Sequence, residues 1–142
     1  MKSILSVGLM LLGLWGAATA SAEIPRNPSA PGATVEILSP PPGATVTSPV
    51  TVRFGLSGMG VAPAGVAYPN SGHHHLIVDA KLPAMDAPIP ADDHHIHFGK
   101  GQTETVLDLS PGKHTLQLVL GDENHVPHDP PVVSEPITIN VK

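Results

Sequence analysis

The sequence predicts an all-β protein, an immunoglobulin-like antiparallel β-sandwich of about seven strands. Three observations carry that expectation. The chain holds 17 Pro and 14 Gly among its 142 residues, and both residue types break helices, which argues against bundles and coiled coils. Its apolar residues recur with a period of two in several short runs, the period that sends alternate side chains to opposite faces of a strand. Gly, Pro, Asn and Asp signals separate those runs at sandwich spacing, which favours a sandwich over a barrel or an α/β sheet.

Residues 1–22 read as an export signal. Lys2 supplies a short positive start, residues 4–15 an apolar run, and Ala20-Ser21-Ala22 a small-x-small cleavage site. The run is too short to span a membrane and no Cys follows it to accept a lipid. A soluble periplasmic or secreted protein is therefore expected, with no membrane insertion after cleavage. Residues 23–32, EIPRNPSAPG, form a Pro-rich leader without periodicity, expected to be a loose tail.

Residues 33–142 make the domain. The first strand, 33–39, alternates through Val35 and Ile37. The second, 49–57, sets Val50, Val52, Phe54 and Leu56 against Thr51, Arg53, Gly55 and Ser57, the pattern of a half-buried strand. A third strand, 74–80, has a weaker pattern. The fourth, 94–98, and fifth, 103–109, alternate again. The sixth, 114–120, places Leu116, Leu118 and Leu120 on one face, and Ile137, Ile139 and Val141 close the seventh, 134–141. Between the fifth and sixth strands, Leu109-Ser110-Pro111-Gly112-Lys113-His114 has the form of a tyrosine corner with His in the Tyr place. His114 is thus expected to be structural, its imidazole N–H bonding back to the backbone upstream.

Composition excludes further classes. The absence of Cys removes disulfide scaffolds, thiolate zinc sites, iron–sulfur clusters, blue-copper centres and Cys nucleophiles. Beyond residue 22 the chain carries 12 acidic residues and six basic ones, the seven less Lys2, for a net charge of −6 with His neutral. That acidity, without a Lys/Arg cluster, argues against nucleic acid and anionic membranes as partners. Trp15 falls in the signal, so the core is expected to rest on Val, Leu and Ile, with Phe54, Tyr68 and Phe98 as the only aromatics. This length suffices for one domain.

Four motifs in order extend the reading. They are Gly72-His73-His74-His75-Leu76; His95-Ile96-His97-Phe98-Gly99 with Gly101-Gln102-Thr103-Glu104; Pro111-Gly112-Lys113-His114-Thr115-Leu116-Gln117-Leu118; and His125-Val126-Pro127-His128 with Pro130-Pro131-Val132. On these the chain resembles an uncharacterised bacterial family whose members carry an export signal and one domain of unknown function. The resemblance spans about residues 33–142. It implies an exported β domain, places the family's histidine pair on His95 and His97, and brings no established activity.

Eight of the nine histidines fall into three groups, 73–75, 94–97 and 125–128. In a seven-strand sandwich the second-to-third, fourth-to-fifth and sixth-to-seventh connections share one end, so all three groups are expected to meet there, with His114 at the other. His73, His75, His95, His97, His125 and His128 are therefore the candidate ligands of a metal ion, Cu or Zn, because late first-row metals favour neutral nitrogen donors. Residues at i and i+2 share a strand face, so His73 with His75, and His95 with His97, can each turn to one ion. Asp92, Asp93, Glu104, Asp122, Glu123 and Asp129 are candidate ligands or acceptors for imidazole N–H groups, and Met59 is a candidate soft ligand for Cu(I). Each group also has a plain structural reading. His74 shares a face with Leu76 and Val78 and suits the core; His95 and His97 suit an exposed sheet face; His125 and His128 suit loop turns whose amides need acceptors.

Three functions follow. The first is a periplasmic metal-binding domain acting as buffer, carrier or delivery partner. The second is a non-catalytic interaction or structural module meeting a periplasmic protein partner. The third, least supported, is a metal-dependent hydrolase with Glu104 or Asp122 as base, since the sequence shows no zincin helix, nucleophile elbow, P-loop or dinucleotide fingerprint.

Overall fold

The computed structural model describes residues 22–142, so the apolar run of the expected export signal lies outside the described residues. Nine strands follow in chain order: β1 (Thr34–Ser39), β2 (Thr45–Val46), β3 (Val50–Ser57), β4 (Gly60–Val61), β5 (Ser71–Val78), β6 (His95–His97), β7 (Glu104–Leu107), β8 (Gly112–Gly121) and β9 (Ile137–Val141). They form two sheets. The smaller runs β1-β3-β7; the larger runs β2-β9-β8-β5-β4, with β6 also paired to β5. This is the expected β-sandwich, and seven of its strands are those the sequence announces. The two additions, β2 and β4, are two residues long and pair in parallel with β9 and β5, too short to show a period. Among the described residues no helix is long and apolar enough to cross a membrane.

Between the sheets lies a core of aliphatic side chains. Val52, Leu76, Leu116, Leu118, Leu120 and Ile139 are fully buried there. Phe54 and Phe98 add the aromatic part, with ring centroids 4.9 Å apart. The weak periodicity of the third predicted strand has a physical cause, because every residue of β5 is buried. His74, Leu76 and Val78 face the core. His73, His75 and Ile77 face outward, yet chain covers them too: Ile77 packs with Val119 of β8 and Ile89 of the segment joining β5 to β6. A strand covered on both faces has no polar side to alternate with.

β6 sits beside β5 in the larger sheet, with His75 opposite His97 and Ile77 opposite His95. The loop from β8 to β9 folds back over β8, bridging Gly121 to Pro127 and Val119 to Val133. The leader, expected to be loose, is instead bonded to this loop: Ser29 N–H donates to Asp129 O at 3.2 Å and Asp129 N–H to Asn27 O at 2.9 Å. His114 takes the corner role, with Nε2 2.8 Å from Ser110 O and Nδ1 2.6 Å from Asp79 Oδ2.

Candidate metal centre

Strand geometry fixes three of the central side chains. His73 and His75 project from the outer face of β5, and the pairing of β6 sets His97 laterally beside His75. The fourth comes from the loop after β8. Asp122, 1% exposed, accepts the N–H groups of Asn124 and Val126 on Oδ1 at 2.8 and 2.9 Å. The turn so closed holds His125 at φ 66°, a left-handed conformation that His visits more readily than most residues, and aims its ring at β5. Ile89 N–H donates to His125 O at 2.8 Å and pins that turn from outside.

The ligand atoms of His73, His75, His97 and His125 all lie within 4.8 Å of one another. His73 Nε2 stands 3.0 Å from His75 Nε2 and 3.1 Å from His125 Nδ1. Nitrogens bound to one Zn or Cu ion at about 2.0–2.1 Å stand roughly 3–4 Å apart, so shifts of less than about 1 Å bring this set to a single ion. Three ring nitrogens crowding one point repel through their lone pairs unless a proton or a cation sits between them. The Nδ1 atoms of His73 and His75 are buried without a hydrogen-bond partner among the described residues, as are both ring nitrogens of His74 and Nδ1 of His128, so this departure from the usual satisfaction of buried polar groups is shared by histidines outside the four.

Electrostatics keeps these rings neutral. Burial, reinforced by His125, His97, His74 and His128, lowers the pKa of His73 from 6.5 to about 4. Burial, reinforced by His73, His97, His125 and His74, lowers that of His75 to about 2. His97 is lowered by burial and then by His125. At neutral pH His73, His75 and His97 thus offer unprotonated imidazole nitrogen, the form a metal binds.

Two glycines shape the cradle, and the sequence reading missed both. A Cβ on Gly121 would stand 2.8 Å from His75 Nε2, and one on Gly99 would stand 2.6 Å from His97 Nε2. The signal for Gly121 was available, since glycine ending an otherwise aliphatic strand often marks a close approach.

Of the six candidate ligands the structure brings four together and sets two apart. His95 shares the face of His97 but lies one pleat along, opposite Ile77, where Nδ1 meets Asp92 Oδ1 at 2.8 Å. His128 turns to the core side, its Cε1 close over Gly72 and its Nε2 3.1 Å from Ser71 O. The group forms on the outer face of the larger sheet rather than at the sandwich tip. His94 Nδ1 lies 2.9 Å from Val78 O, and His74 packs on Phe54 with centroids 5.1 Å apart. The carboxylates considered as ligands do not join the four. Asp122 caps its loop, Glu123 accepts from Asn27 Nδ2 at 2.7 Å, and Glu104 pairs with Arg53 on the smaller sheet.

Fold and site together define a β-sandwich domain with a four-histidine cluster on its outer face. The chain belongs to the family described as a domain of unknown function, DUF4399, whose model matches residues 52–142. No curated protein matches it. Among solved structures it is similar to the endo-beta-1,4-mannanase from Thermotoga petrophila, at 18% identity and a TM-score of 0.46, over 78% of this chain and 20% of that one. A likeness at that level carries no argument about this protein's activity.

Proposed function

We propose that this domain binds one Cu or Zn ion through His73, His75, His97 and His125 and serves as a periplasmic buffer, carrier or delivery partner for it. The observation behind the reading is the convergence of four imidazole ligand atoms within 4.8 Å, two of them on fully buried rings. An all-nitrogen set suits Cu(II) and Zn(II) better than Mg(II) or Ca(II), which prefer oxygen. His97 and His125 are less buried than the other two, so an ion held here stays within reach of an accepting molecule. That accessibility supports a role in handling metal over a purely structural one.

Calorimetric titration of the metal-free protein with Cu(II) and with Zn(II) tests the reading. The expected result is one ion per chain at micromolar affinity or tighter, about 8 kcal/mol. His97→Ala and His125→Ala should each weaken binding, while His95→Ala and His114→Ala leave it unchanged. Weak uptake of several ions, indifferent to all four variants, would leave only ordinary surface imidazoles.

A further inference from the structure

We propose that the Pro-rich leader is the latch of the metal centre: Arg26 and Asn27 hold the loop that carries His125 and thereby set the rate at which the ion is exchanged. This inference rests on the metal-binding reading above. Three of the four ligands are fixed by strand pairing, His73 and His75 on β5 and His97 opposite His75 on β6. His125 alone rides on a loop, in a left-handed conformation, and so is the ligand whose position depends on what grips that loop.

The leader grips it on both sides of His125. Before it, Asn27 Nδ2 donates to Glu123 Oε2 at 2.7 Å. After it, the Arg26 guanidinium donates to two successive carbonyls, Pro127 O at 3.1 Å and His128 O, and faces Asp129 Oδ1 at 3.5 Å. A planar fork with several fixed donors matches adjacent carbonyls in a way an ammonium does not. Pro28 then bridges to Asp129. The Arg26 bonds and the Pro28 bridge fall on backbone atoms of the loop, so they control where it lies after His125, while Asn27 holds it before His125 through the Glu123 side chain.

The exchange chemistry follows. An incoming donor atom from an acceptor bonds to the ion as the bond to His125 nitrogen breaks. The imidazole leaves neutral, the oxidation state is unchanged, and the three strand ligands hold the ion until the acceptor supplies further donors. Freeing the loop exposes the coordination position at which this substitution starts, so a weaker latch means faster transfer.

The test is stopped-flow transfer of Zn(II) from the loaded protein to excess chromogenic chelator, well below the unfolding temperature. Arg26→Ala is expected to speed transfer about tenfold, equivalent to about 1.4 kcal/mol, with Arg26→Lys intermediate. Asn27→Ala, which removes only the contact to Glu123, should speed it less and serves if Arg26→Ala does not fold. A residue with a merely structural part would lower the thermal midpoint of the metal-free protein yet leave low-temperature transfer unmoved. Wild-type protein that loads Zn(II), with the Arg26 and Asn27 variants transferring at the wild-type rate, would overturn the latch alone. Wild-type protein that takes up no ion would overturn the metal-binding reading and the latch with it.

Discussion

Lowering the pH of the metal-free protein from 7.5 to 4.5 is expected to destabilise it by about 5 kcal/mol through His73 and His75 alone. Both pKa values are depressed in the folded chain, to about 4 and about 2 from 6.5. As pH falls through 6.5 the unfolded chain takes up both protons while the folded chain refuses them. Their contribution is therefore intact above 6.5 and is lost as pH falls towards 4. At pH 4.5 the solution lies about two units below the pKa of an unfolded imidazole, which costs the folded state roughly 2–3 kcal/mol per ring. Near pH 5.5 the unfolded chain holds nearly two more protons at these two positions, giving a slope of roughly 2–3 kcal/mol per pH unit. Against a typical total of about 5–15 kcal/mol, that removes roughly a third or more of the stability. Urea denaturation in the presence of a chelator, at several pH values between 7.5 and 5, measures the slope, and His75→Leu should cut it by about half. Stability flat across that range, or a slope unchanged in His75→Leu, would refute the account of a neutral buried cluster.

Three more perturbations follow from the geometry. Gly121→Ala places a methyl group 2.8 Å from His75 Nε2 and should weaken Zn(II) binding at least about tenfold, with an overpacking cost of about 1–3 kcal/mol, read by calorimetry and thermal melting. Asp122→Ala takes the acceptor from the N–H groups of Asn124 and Val126 beside His125, of which that of Val126 is buried, and is expected to cost about 1–3 kcal/mol by urea denaturation, chiefly from the orphaned Val126 donor, while also lowering metal affinity. The pKa of His114 is raised, by Asp79 first and the Ser110 carbonyl second, so its contribution is present below 6.5 and lost as pH rises through the folded value. Asp79→Asn should therefore lower the thermal midpoint more at pH 6 than at pH 9.

What the sequence made legible was whatever depends on neighbours along the chain. The alternation of Val50, Val52 and Phe54 announced β3, and Leu116, Leu118 and Leu120 announced β8, because one face of each packs on the core and the pattern records it. The His114 corner was legible because its acceptor, Ser110 O, lies four residues upstream. The pairing of His73 with His75 followed from strand parity. Cross-strand register was not legible. Whether His97 or His95 faces His75 is a choice of one pleat, and it is settled by β6 docking on β5 with Phe98 N–H donating to His74 O at 3.1 Å. The side taken by His128 was equally hidden, since it depends on Gly72 leaving room beneath the ring. The leader read as loose because it lacks periodicity. It is held by two backbone bonds to Asp129 and by side chains such as Arg26 reaching carbonyls of the loop, an arrangement that leaves no period in the sequence.

The outer-face position of the cluster explains why one strand carries so many histidines. β5 must bury both faces, and its core face is already committed to Leu76 and Val78. On its outer face Ile77 forms a small apolar cluster with Ile89 and Val119, against which Ala80 and Val133 pack. His73 and His75 extend that face with groups that are weakly hydrophobic when neutral and strongly adhesive when they share an ion. An ion bound there would tie β5, β6 and the His125 loop together, and such linkage stabilises by roughly 4 kcal/mol at a free concentration about a thousand times the dissociation constant. That gain belongs mainly to the outer layer, because the sandwich core beneath it is complete without the ion. If the proposed ion binds there, its loss would loosen the loops around the centre while leaving the scaffold standing, which is the behaviour a site that gives up its ion requires.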